Sequence, residues 1–113
     1  MTEPIRFKKR FRPRTVEIDD KDDATHKFET VALTRSVERE LTETMEKVES
    51  FSAETTDEEA LDVVLRMIDK MIEPAKGRKK ASTILRDLWK AEEIESMDII
   101  DFLNDLATQR RPT

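Results

Sequence analysis

Cysteine and tyrosine are absent from these 113 residues, while glycine, histidine and tryptophan occur once each. Each shortage closes a class of function. Without Cys there is no disulfide, no thiolate nucleophile and no Cys-ligated zinc. The single glycine, Gly77, cannot build a Gly-rich phosphate cradle or a dinucleotide fingerprint, which need several glycines for close backbone approach. The single histidine, His26, leaves an enzyme only carboxylates and lysines to work with. The inventory therefore points to a protein that is not an enzyme and uses no cofactor. Long hydrophobic runs are missing as well. No interior apolar run exceeds three residues, as in Val63-Val64-Leu65, against the roughly 20 a spanning helix needs. The basic N-terminus is not followed by the apolar stretch of a secretory signal. The expectation is a cytoplasmic protein with no membrane contact.

What the chain does have is charge. Charged residues make up 42% of it, apolar ones 36%, and the formal net charge is −5. The charges come in blocks: +5 over residues 1–14, −4 over 15–26, +5 over 76–90 and −4 over 91–113. Such blocks imply patches with different contacts, or simply solvated faces. The length suits one domain. Its expected layout is a flexible basic arm over 1–14, a mainly helical domain over 15–108 and a tail over 109–113.

Hydrophobic periodicity fills in that domain. Val16 and Ile18 alternate with polar neighbours, as do Phe28, Thr30 and Ala32, the period of half-buried strands. An Asp-rich connection, 19–25, joins them into a hairpin that needs a helix to pack on. From Thr34, a plausible N-cap, the period becomes helical. A first helix is expected over 35–50, with Val37, Leu41, Met45 and Val48 in one stripe and Glu43 and Lys47 as a favourable i,i+4 pair. Thr56 and Glu59 have capping-box spacing for a second helix over 57–73, stopped by Pro74.

That second helix is the most apolar. Leu61, Val64, Leu65, Ile68, Met71 and Ile72 form one face, and Ala60, Val63 and Met67 widen it to about 200°. Such a helix either lies at the centre of a bundle or keeps a second face for a partner. Ala81, Ile84, Leu85, Leu88 and Trp89 mark a third, shorter helix. Ser96 reads as the N-cap of a fourth, with Ile99, Ile100, Phe102, Leu103, Leu106 and Ala107 on one face. The expected fold is mostly α: a bundle of about four helices preceded by a short β-hairpin and a basic N-terminal arm. A chain this small buries a low fraction of its surface, so self-association or a client would help it.

Several features invite chemistry. Arg6-Phe7-Lys8-Lys9-Arg10-Phe11-Arg12-Pro13-Arg14 interleaves bases with aromatics, and Lys8, Lys9, Arg10, Arg12 and Arg14 could neutralise phosphates while the rings stack on bases. Docking on an acidic protein surface, or plain solvation, explains the same segment, and the net charge of −5 weighs against nucleic acid. The helix pair over 81–107 has helix-turn-helix spacing. Yet Asp98, Asp101 and Asp105 on the second helix would repel phosphates, which favours a structural hairpin of helices. Asp19, Asp20, Asp22 and Asp23 suggest calcium only superficially: Lys21 sits where a ligand would be and no Gly provides the turn, so no metal is expected. Trp89 is a core residue or an interface anchor.

Taken with this helix order, Thr30-Val-Ala-Leu-Thr-Arg-Ser-Val-Glu-Arg-Glu-Leu, the helix 60–72 and especially Ala81-Ser-Thr-Ile-Leu-Arg-Asp-Leu-Trp-Lys-Ala-Glu-Glu-Ile-Glu-Ser-Met-Asp-Ile-Ile-Asp-Phe-Leu resemble the small tail assembly chaperones of long-tailed bacteriophages. The resemblance covers about 80 residues and rests on a pattern of helices and a Trp, not a catalytic signature. It implies a helical, acidic, non-enzymatic protein of the infected cell's cytoplasm. Such a protein coats the tape measure protein, keeps it soluble and recruits the tail tube protein, often beside a frameshifted longer form. The basic arm departs from that family. On this reading Ala60, Val63, Met67 and Trp89 are the candidate partner contacts. The alternatives are a small nucleic-acid-associated regulator using the arm, and a structural subunit of the virion.

Overall fold

The computed structural model describes residues 13–50 and 58–109. Five residues of β1 (Thr15–Asp19) and six of β2 (Thr25–Thr30) form the expected hairpin, followed by α1 (Arg35–Glu49), α2 (Glu58–Met71), β3 (Ile72–Pro74), α3 (Ala81–Lys90) and α4 (Ser96–Gln109). The sheet is antiparallel in the order β1-β2-β3. The mostly helical fold is therefore as the periodicity indicates, with a third strand added.

β2 ends at Thr30, so Ala32 lies beyond the strand and is exposed. The hairpin connection is shorter than its composition suggests. Asp20 donates its N–H to Ala24 O at 2.9 Å, so only Lys21, Asp22 and Asp23 loop out, and Asp23 takes a left-handed φ of 61°. A three-residue loop with its last residue left-handed is a common hairpin closure, and Asp tolerates that conformation better than most residues. Asp20 organises the turn: its Oδ1 accepts the N–H groups of Asp22 (2.8 Å) and Ala24 (3.0 Å). Its Oδ2 accepts from His26 Nε2 at 2.8 Å. This hydrogen bond, reinforced by the Ala24 and Asp22 N–H groups, lowers the Asp20 pKa.

β3 is the element the periodicity hides. Residues 72 and 73 continue a helical pattern, but Pro74 disfavours helical backbone at Glu73. The C=O of Met71 accepts the N–H of Val31 at 3.0 Å, which turns the chain onto β2 with Thr30 opposite Ile72 and Phe28 opposite Pro74. The second helix consequently stops at Met71 instead of residue 73.

Thr34 caps α1 as expected, its Oγ1 accepting from Val37 N–H at 3.2 Å. Val48 is buried, and Val37, Leu41 and Met45 are partly buried against the core. Thr44, one turn before Val48, is buried among them. Glu43 and Lys47 are not among the ion pairs formed by the described residues. The capping pair Thr56 and Glu59 cannot be followed, because Thr56 lies outside the described residues.

Three ties arrange the bundle around α2. The Lys70 ammonium pairs with Glu40 of α1, and the Arg86 guanidinium of α3 pairs with Asp62 and, at 3.2 Å, with Glu58. Ser82, at the start of α3, donates its N–H to Asp69 Oδ1 at 3.0 Å. α3 therefore runs antiparallel to α2. At 100° per residue, Lys70 shares a face with Val63 and Met67, which turns that face toward α1. Asp62 and Asp69 turn the neighbouring face toward α3. α4 packs on α2 as well. Ile68 is wholly buried, and Phe28 of the sheet joins Leu65, Met71, Ile84, Ile99 and Leu103 in one core. Each such side chain contributes about 1.5–3 kcal/mol on burial. The two open alternatives for α2 thus resolve in favour of the central helix.

Candidate functional site: the corner between α3 and α4

The arc of α2 weighed as a partner face is narrowed by the fold. Met67 is 3% exposed, a core residue that cannot touch a partner, while Ala60 and Val63 are half-buried. The correction has a simple cause: α1 docks on the side of α2 that carries Val63, Met67 and Lys70. Among the described residues, the large hydrophobic side chain that remains open to solvent is Met97, 40% exposed, at the start of α4.

Met97 lies in an open depression of about 690 Å³ at the α3–α4 corner, together with Trp89, Ile94 and Ser96 and the charged side chains Lys90, Glu92 and Glu95. Trp89 is half-buried, and its indole N–H donates to Ser96 Oγ at 3.0 Å. That bond fixes the ring across the corner. It also corrects the expected role of Ser96, which is buried with its hydroxyl engaged by the indole. The helix start is secured instead by Asp98, whose Oδ2 accepts the N–H of Glu95 at 2.8 Å. This is the returning half of a capping box.

The end of α3 shapes the other wall. Glu92 donates its N–H to Trp89 O at 3.1 Å, and Glu93 donates to Leu88 O at 3.0 Å. This pair of bonds is a Schellman closure, which places Glu92 at φ 60°. Glycine is the usual occupant there, since a Cβ in left-handed backbone costs roughly 1 kcal/mol. A glutamate held in that conformation leaves an acidic side chain exposed on the rim. The charged lining, Glu92 and Glu95 against Lys90, is net negative, and Glu93, Asp98, Asp101 and Asp105 are further exposed acids of the same segment.

Of the candidate partner contacts expected from the sequence, only Trp89 reaches this depression. Ile94 and Met97 were missed. Met97 lies off the apolar stripe of α4, and a large apolar residue off-stripe beside a Trp-bearing helix end is the signal that could have found it. Lys8, Lys9, Arg10 and Arg12 lie outside the described residues. Arg14 belongs to the sheet: its C=O accepts Thr30 N–H at 3.0 Å and its N–H donates to Thr30 Oγ1 at 2.9 Å. Its side chain is exposed.

Two smaller concavities, about 410 and 350 Å³, lie along the first residues of β2 and the segment after β3, and hold Lys27, Lys76, Arg78 and Lys79. These four bases make no ion pair among the described residues. No group of three His, Cys, Asp or Glu side chains among the described residues could hold a metal ion, and the hairpin acids do not converge on one point. No helix of the described residues is long and apolar enough to cross a membrane. No family model, curated protein or solved structure matches the chain.

Proposed function

We propose that the protein is a non-enzymatic tail assembly chaperone, acting in the host cytoplasm to hold a tape measure protein soluble and to bring tail tube subunits to it. The observation that carries this reading is the Trp89–Ile94–Met97 depression. A client built of long amphipathic helices exposes apolar stripes flanked by charge, and a concavity that sets Trp89, Ile94 and Met97 among charged side chains covers such a stripe by helix-in-groove packing. Trp89 supplies a rigid anchor, and Met97 an adaptable thioether that fits varied surfaces. The resemblance to the chaperone family noted in the sequence rests above all on 81–103, and the depression is built from that same segment. The acidic rim favours clients with basic residues beside the apolar stripe and disfavours nucleic acid.

The test is co-expression of the protein with a tape measure fragment, reading the fragment's soluble fraction. Wild type keeps the fragment soluble, and Met97→Asp, at an exposed position, lets it aggregate. Retention of wild-type solubilisation by a folded Met97→Asp variant would sink the reading. A second reading, association with nucleic acid, draws on Lys27, Lys76, Arg78 and Lys79, which make no ion pair among the described residues and cluster beside the first half of β2. A tight DNA complex that collapses between low and physiological salt would favour it.

A further inference from the structure

The three-stranded sheet has one edge that nothing among the described residues covers. At the β3 edge Pro74 has no N–H to offer, which blunts that side. At the other edge β1 pairs only with β2. The bond from Thr30 N–H to Arg14 O sets the phase of the ladder, so the main-chain groups of Arg14, Val16 and Ile18 face β2. Those of Thr15, Glu17 and Asp19 face outward, and none has a partner among the described residues. β1 contains neither a proline nor a bulge. An open, regular edge of this kind is a template for another strand.

The charge order along the edge selects the strand. Its start carries exposed Arg14 at the end of the +5 block, and its end carries exposed Asp19 followed by Asp22 and Asp23 of the −4 block. An antiparallel copy of the same edge sets each basic start against an acidic end. We propose that β1 pairs with β1 of a second copy, antiparallel about a two-fold axis through Glu17, merging two three-stranded sheets into one of six. Thr15 then lies opposite Asp19 of the second copy, and Arg14 lies beside the acidic turn. The six outward N–H and C=O groups of each copy all find partners. The two central Glu17 carboxylates face each other, a like-charge contact tempered by Lys27, the cross-strand neighbour of Glu17 within each copy. This interface is independent of the proposed client site. α3 runs antiparallel to α2, so the Trp89 depression lies at the start of α2 and the sheet at its end, and pairing leaves the depression open.

Sedimentation equilibrium on the full chain tests the proposal. Wild type dimerises, and raising the salt from low to about 0.5 M weakens the dimer roughly tenfold as the end charges are screened. Glu17→Pro removes only an outward-facing N–H, fits extended backbone and yields a monomer. Glu17→Thr relieves the central repulsion and tightens the dimer several-fold. Should Glu17→Pro fail to fold, Arg14→Glu serves in its place: it loosens the dimer, and adding Asp19→Arg restores it. A wild-type chain monomeric at several hundred micromolar, or a dimer unmoved by these edge substitutions, overturns the proposal.

Discussion

Two apolar surfaces of similar chemistry meet opposite fates in this molecule. On α2, Val63 and Met67 lie on the face tied to α1 through Lys70 and Glu40, and Met67 is lost to solvent. At the α3–α4 corner, Trp89, Ile94 and Met97 surround a depression that no other described element fills. Both surfaces carry a methionine beside a branched apolar residue, so composition does not separate them. What separates them is whether a helix is available to pack on them. A sequence read one element at a time shows which faces are apolar, not which of them will be matched with each other.

Substitutions can break this comparison or sharpen it. The largest effect is expected from Met67→Asp, which removes a packed side chain and strands a carboxylate in the core. It should cost more than the roughly 2–5 kcal/mol of a buried Met→Ala change and leave little folded protein by denaturant titration. Met97→Asp should shift stability by no more than about 0.5 kcal/mol, as a surface change does, while abolishing client solubilisation. Equal destabilisation by the two would show that the corner is as closed as α2.

A smaller effect of opposite sign is expected from Glu92→Gly. Relieving the left-handed Cβ should stabilise the fold by about 1 kcal/mol in the same titration. Losing an acidic rim residue should weaken a basic client at the same time. Asp23 also has a left-handed backbone, but it sits in a hairpin turn where Asp is well tolerated. Asp23→Gly should therefore gain less than Glu92→Gly.

The smallest effect belongs to the hairpin turn and appears only in acid. The folded-state pKa of Asp20 is lowered, chiefly by its hydrogen bond with His26. Its contribution to stability is therefore fully present above the ordinary carboxylate value near 4 and is lost as pH falls through the lowered folded value. Thermal melts between about pH 2 and pH 6 should show this acid-side loss in wild type and a flatter profile in Asp20→Asn.

Much of the fold was legible before the structure. Alternation at Val16, Ile18 and Phe28 marks the hairpin, and the 3.6-residue spacing from Val37 to Ala107 marks four helices. Thr34 marks the start of α1. These features arise from local geometry, which repeats along the chain. The misses share a different character. β3 is three residues long and borrows its identity from pairing with β2. Ser96 has the residue type of a cap, but the Trp89 indole at the end of α3 engages its hydroxyl. Thr44 is polar yet buried because its position on α1 faces the core. Each depends on a neighbour outside its own helix or strand.

The candidate site follows the same division. Trp89 was visible because a lone Trp at helical spacing is a strong feature in itself. Met97 and Ile94 were not, because their significance depends on the angle at which α4 leaves α3.

The amino-acid sequence alone determined the elements and their apolar faces, since backbone sterics and hydrophobic periodicity act within a few residues. Whether an apolar face became core or remained open was decided only in three dimensions, when α1, α3 and α4 closed around α2. Burial belongs to pairs of surfaces, and the pairing is settled only when the chain packs as a whole.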